Sequence, residues 1–403
     1  MPKPLSDNSR WRSLVSTLRW IRTPLDRPIA VLLLMIPVSL WVSFDLRLTL
    51  PKAGGLLTSF VLFYATVTFA RTRKQSVQAL SLYLLIGTIV ATLGLVGTNW
   101  LYKNPLLSGI TAALPKWIHG VPGATKGFHP NEVGGALLWF VPLQVALAVW
   151  SGRTGRLRTR AGIVLCATAV LTCLTLLLTQ SRGAWLGLGV GLLLMGAWLD
   201  RRVRLLAVVL VLAAVAVLAL QGTAWLESTL SEGIAPQVLG KSNWDFRLGV
   251  WRAALWGIAD FPLTGMGMGT FRAARRMYPL STMPADYDFG HAHNGFLQAA
   301  LDLGLPGLIA YTALWAQSAR MVMASLRQVQ DRDTVIFWTA IGFLGCLVSS
   351  FVFNWTDTIA LGAKGSLPWW ALLGLITSLF LQLRHSPPER DGVPSSWMEE
   401  DGA

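Results

Sequence analysis

The sequence predicts an all-α, polytopic membrane protein with about ten transmembrane helices and one long outer loop. Three observations predict it. Only 13% of the 403 residues are charged and 53% are hydrophobic, whereas soluble domains carry about 25% charged residues. The mean hydropathy, +0.51, is concentrated in apolar blocks rather than spread evenly. Lys and Arg gather in the gaps between blocks, mostly in every second gap.

The blocks lie at about 29–44, 53–70, 79–97, 133–150, 162–179, 184–199, 203–221, 296–318, 334–353 and 367–383, and each is near the roughly twenty residues that span hydrocarbon. Helix is expected in each, because lipid offers no partners to free backbone groups. Segments 1–28, 71–78, 151–161, 200–204, 319–333 and 384–403 hold most of the 34 Lys and Arg. Runs such as RTRK at 71–74 and RTGRLRTR at 153–160 then face the cytoplasm, and so do both termini. The expected organisation is a cytoplasmic segment 1–28, helices one to seven over 29–221, an outer loop 222–294, helices eight to ten over 295–383, and a polar cytoplasmic tail 384–403. No small-residue cleavage site follows the first block, which reads as a signal anchor.

The net charge of +14 would suggest nucleic acid in a soluble protein. Here the charge sets topology, and no basic stripe interleaves with aromatics. No nucleic-acid partner is expected; membrane lipids are. Cys166, Cys173 and Cys346 lie inside apolar blocks without a CxxC pair, as small core hydrophobes.

The outer loop is the segment most loaded with function. It has a helix-like stretch from Phe246 to Ala259, and GMGMG at 265–269. Without a strand–helix context those glycines are a tight turn after Pro262, not a dinucleotide fingerprint. Arg247, Arg252, Arg272, Arg275 and Arg276 make it cationic. Trp225, Trp244, Trp251, Trp256 and Tyr278 suit an interfacial helix.

Arg182, in TQSRGAW, sits at the outer edge of a helical hairpin. It is either an interface anchor or a guanidinium whose planar fork takes phosphate in an external cavity. In HAHNGFLQAALDLG, 291–304, Asn294 is a good N-cap, which places His293 beside a helix N-terminus. The positive field there lowers an imidazole pKa and attracts anions. A neutral histidine beside a bound anion suits a general base, the alternative being capping and loop packing. The His-x-His pair supplies two metal ligands, but no nearby carboxylate or cysteine completes a set, so no metal and no cofactor are expected. Asp302, some 13 Å along the helix at about 1.5 Å per residue, is too far to orient His293. It is expected to pair with an arginine or cap a neighbouring helix. Gly183, Gly187 and Gly191 form a small-residue row for close helix packing.

Taken together, TQSRGAWLGL at 179–188, the run from Arg247 to Phe271, HAHNGFLQAALDLGLPGL at 291–308 and GFHPNEVGGALLWFVPL at 127–143 resemble the O-antigen ligase and polymerase superfamily of bacterial envelope enzymes. Members commonly have about twelve membrane helices, so the layout is ten to twelve. The resemblance implies a metal-independent glycosyltransferase of the inner membrane. It would take a glycan from undecaprenyl pyrophosphate on the periplasmic face and pass it to a hydroxyl of lipid A–core. A growing glycan (polymerase) or a protein (oligosaccharyltransferase) are the alternative acceptors. It also implies His293 as the base, with His291 as the alternative, and Arg182 and Arg247 on the pyrophosphate. Asn294 and Arg252 complete the expected substrate-binding set. A lipid-glycan flippase or secondary transporter is the reading from another class, but the two halves show no repeat.

Overall fold

The computed structural model describes residues 22–100, 105–120, 125–213, 215–216, 243–278, 290–329, 331–359 and 361–385. The tail after 385, Trp225 and the side chains of Trp244, Arg275 and Arg276 lie outside that description.

The described residues are helical and contain no strand, only an isolated bridge between Thr98 and Phe128. The helices are α1 (Asp26–Trp41), α2 (Leu46–Phe69), α3 (Arg73–Gly97), α4 (Pro105–Ala112), α5 (Pro130–Leu137), α6 (Val141–Arg153), α7 (Arg160–Leu178), α8 (Arg182–Leu199), α9 (Asn243–Asp260), α10 (Gly295–Gln328), α11 (Val335–Thr356) and α12 (Leu367–His385). Seven of them, α2, α3, α7, α8, α10, α11 and α12, are long and apolar enough to cross a membrane. The α5–α6 pair, bent by 44°, makes an eighth crossing if it is one broken span.

Among the described residues seven or eight spans pass this test, against the ten expected blocks. The first expected block is α1, present but only 16 residues long. The seventh, 203–221, is helical over 201–213 and then passes out of the described residues. The fourth is interrupted where Pro142 near the start of α6 ends regular helix. The outer faces of these helices keep Leu34, Val61, Ile163 and Leu186 exposed, as lipid contact requires.

α11 is the centre of the bundle, packing on α8, α6 and α10. The small-residue row works as expected. A Cβ on Gly187 or Gly191 would collide with Ser349, so α8 and α11 meet at nearly backbone distance.

The described part of the long loop between α8 and α10 builds a second, small core with α10. Val250, Ala253 and Ala254 of α9 pack with Met266, Phe271, Tyr278, Ala292 and Leu301. The GMGMG turn forms as expected, with positive φ at Gly265, Gly267 and Gly269. It docks where α10 breaks at Gly304 (φ 67°), just before Pro306. Leu301 O, released by the break, accepts from Met266 N (2.7 Å), and Leu305 N donates to Pro262 O (2.7 Å). The loop backbone thus replaces the lost helical bonds, which hydrocarbon could not do. Asp302 completes the junction. Its Oδ1 accepts from Gly269 N (2.9 Å) and Gln298 Nε2 (2.8 Å). Among the described residues it pairs with no arginine; its bond from Gly269 N, just ahead of the short helical turn 270–276, pins the turn that anchors the loop.

Candidate active site

Three helix ends meet at one end of the bundle: the start of α8, the start of α10 and the end of α11. Asn294 caps α10 as its sequence predicts, its Oδ1 accepting from Phe296 N (3.0 Å) and Leu297 N (3.1 Å). Gly295 allows that end to press on α11, since a Cβ there would strike Asn354. On the other side, a Cβ on Gly183 would strike Thr356. Glycines bring the first turns of both helices against the last turn of α11, and Asp357 follows as its C-cap.

Asp357 is the residue that sequence reasoning missed. It is 5% exposed and collects donors from three segments. Asn131 Nδ2 donates to Oδ2 (2.9 Å), and Thr358 N donates to Oδ1 (2.9 Å). His293 Nδ1 lies 3.2 Å and His291 Nε2 3.7 Å from the same Oδ1. Burial alone would raise its pKa. The hydrogen bond from His293, the charges of both imidazoles and the Thr358 N–H overcome that and hold it well below the usual carboxylate range. The expectation that no carboxylate joins the histidines is therefore wrong, because the partner arrives from another helix. One donor atom each from His291, His293 and Asp357 lie within 4.8 Å of one another.

The two histidines differ. His291 Nδ1 accepts from the His293 backbone N–H (3.2 Å), so its Nε2 carries the proton and faces Asp357. Burial pushes its pKa down to about 4, against the pull of Asp357. His293 has φ +49°, a conformation uncommon outside glycine and frequent at functional sites. Its ring stands edge-on to Phe246 of α9 (centroids 5.7 Å, 71°) and lies 4.4 Å from the His291 ring. With Nδ1 bonded to Asp357, Nε2 has no hydrogen-bond partner among the described residues.

Arg247 and Arg182 are coupled to this end too. The Arg247 guanidinium is pulled below its ordinary pKa, chiefly by burial, while Asp357 raises it and Arg182 lowers it. Those couplings put Arg247 within electrostatic reach of both groups. Arg182, the first residue of α8, is exposed at the rim. Arg252 is exposed farther along α9 and does not share these couplings. Glu132, exposed at the start of α5, and half-buried Lys52 of α2 extend the polar surround of Asp357 and His291.

Residues 167–312 match the family model described as O-antigen ligase. That segment is an O-antigen ligase family domain. It contains Arg182, Arg247, His291, His293 and Asn294, whereas Asn131 and Asp357 reach the site from outside the matched stretch. No curated protein matches the chain. The O-antigen ligase family domain is thus carried by a helical bundle whose flanking helices complete its polar centre, and the family implies glycosyltransferase activity in general terms.

Proposed function

We propose that this chain transfers a glycan from undecaprenyl pyrophosphate to an acceptor hydroxyl at the outer face of the bacterial inner membrane, with lipid A–core as the acceptor. The observation that carries the reading is the His293–Asp357 pair, with His291 beside it, where three helix ends meet, and the electrostatic coupling of Arg247 to Asp357 and Arg182. Arg182 and Arg247 bind the pyrophosphate and stabilise the charge that develops as it departs. His293 Nε2 takes the proton of the acceptor hydroxyl, and the Nδ1–Asp357 bond orients the ring and steadies the imidazolium. The acceptor oxygen bonds to the anomeric carbon as the carbon–oxygen bond to the pyrophosphate breaks. Attack opposite the leaving group inverts that carbon.

The tautomers favour base over metal chemistry. A metal on His291 Nε2 would displace the proton that faces Asp357. The ring would then have to protonate Nδ1, where it already accepts from His293 N–H. The same bond favours His293 over His291 as base, because it occupies His291 Nδ1 and leaves the proton on Nε2.

The test is incubation of purified protein with undecaprenyl-pyrophosphate glycan and separate acceptors, with product mass analysis. A product on lipid A–core, formed equally in EDTA, is the expected result. Extension of the glycan itself would mean a polymerase, and a product on protein an oligosaccharyltransferase. Movement of the lipid-linked glycan without a new glycosidic bond, or dependence on a divalent ion, would overturn the proposal.

A further inference from the structure

At the end of the bundle opposite the histidines, the last turns of α8 and α10 stand over the first turns of α11. Between them lies a cleft of about 780 Å³. Its walls are Leu194, Trp198, Met323, Leu326, Phe337 and Leu344, and Arg204 and Arg332 stand at its mouth. The volume is in the range of ligand sites, about 300–1,000 Å³.

Both arginines are exposed, and among the described residues neither guanidinium has a hydrogen-bond or ion-pair partner. Among the described residues no acid forms an ion pair with either guanidinium, and two acids close to them in sequence accept backbone N–H groups. Asp200 Oδ1 accepts from Arg202 N (2.6 Å), and Asp331 Oδ1 accepts from Asp333 N (2.8 Å). An apolar slot with two unneutralised guanidiniums at the membrane boundary matches one chemistry: acyl chain below, phosphodiester above.

We infer that this cleft binds an anionic phospholipid, its phosphate held by Arg204 and Arg332 and part of a chain against Trp198 and Phe337. The helix ends decide which leaflet is involved. α8 and α10 begin at the catalytic face and finish here, and α11 runs the other way. The lipid therefore comes from the leaflet opposite the proposed transfer chemistry, and it is a different molecule from the donor. Basic pockets between membrane helices hold phospholipid headgroups in this manner. The inference stands independently of the glycosyltransferase reading.

The test is native mass spectrometry of the full-length protein in detergent, titrated with phosphatidylglycerol or phosphatidylcholine. Wild type is expected to prefer phosphatidylglycerol by about tenfold or more, from two arginines near one phosphate. R204Q/R332Q is expected to bind the two lipids equally, while R204K/R332K keeps most of the preference. R158Q, at the same end of the bundle but outside the cleft, is the control and keeps all of it. Equal binding of both lipids by wild type would overturn the inference. So would an equal loss in R158Q, or a preference that emerges only after deletion of residues 386–403 with their acidic end.

Discussion

The two ends of the helix trio α8, α10 and α11 are built on opposite plans. At the histidine end, glycines close the helices onto one another and the buried carboxylate is saturated with donors from the 131, 291–293 and 358 positions. At the opposite end the same helices line an apolar cleft, and among the described residues its two arginines stand without partners. A proton-transfer site needs fixed geometry, so its charges are neutralised and held by the protein itself. A site for a mobile lipid needs only complementary charge and space. Substitutions at the histidine end should therefore be punished for loss of shape as well as charge, and those at the opposite end for charge alone.

His293→Ala should give the largest effect, a loss of transfer of about 10³-fold or more with the protein still inserted in the membrane. His291→Ala should retain more activity than His293→Ala, because it removes a neighbour of the base and not the base. Initial rates of glycan transfer separate the two, and the reverse ranking would make His291 the base.

Asp357→Asn comes next, at on the order of 10²-fold, because an amide beside His293 Nδ1 permits the wrong tautomer. A fall in kcat with little change in either KM would mark orientation of the ring. A fall in KM terms alone would assign Asp357 to binding instead. Arg247→Lys and Arg182→Lys should each lose about 10-fold or more, since an ammonium keeps the charge but not the fork. Arg252→Gln, on the exposed face of α9, should stay within about twofold. An Arg252 effect as large as that of Arg247 would mean that the pocket extends along α9.

How much of this was legible in the sequence follows from the range of each force. Hydropathy acts block by block, so the helical membrane fold could be read directly. The Asn294 cap, the GMGMG turn and the Gly183–Gly187–Gly191 row are local geometry and were legible for the same reason. The break in α10 was not, because Gly304 and Pro306 need the loop carbonyl of Pro262 to make a break affordable in lipid. Asp357 was invisible for a related reason. In FNWTDTIA it is a single acid after an apolar helix, 64 residues from His293. Its signal was the lone carboxylate of the outer loop between α11 and α12. Asp302, two residues before a helix break, looked like an ion-pair partner because nothing local revealed the Gly269 N–H that meets it.

The smallest effect tests whether the histidine end is held together by neutral as well as charged groups. The folded-state pKa of His291 is lowered to about 4 by burial, so the unfolded chain, with an ordinary value near about 6.5, binds the extra proton first. Stability then rises with pH wherever the unfolded state holds more protons. The contribution of His291 is complete above about pH 6.5 and is lost as pH falls toward 4. Thermal unfolding in detergent should show a melting temperature that drops over this interval in wild type and drops less in His291→Gln. Asp357, whose pKa is lowered too, starts to lose its contribution in the ordinary carboxylate range and goes on losing it below, so its loss begins where that of His291 is ending. An identical slope in His291→Gln would mean that the imidazole is protonated in the folded protein and that the Nδ1 bond to His293 N–H does not persist.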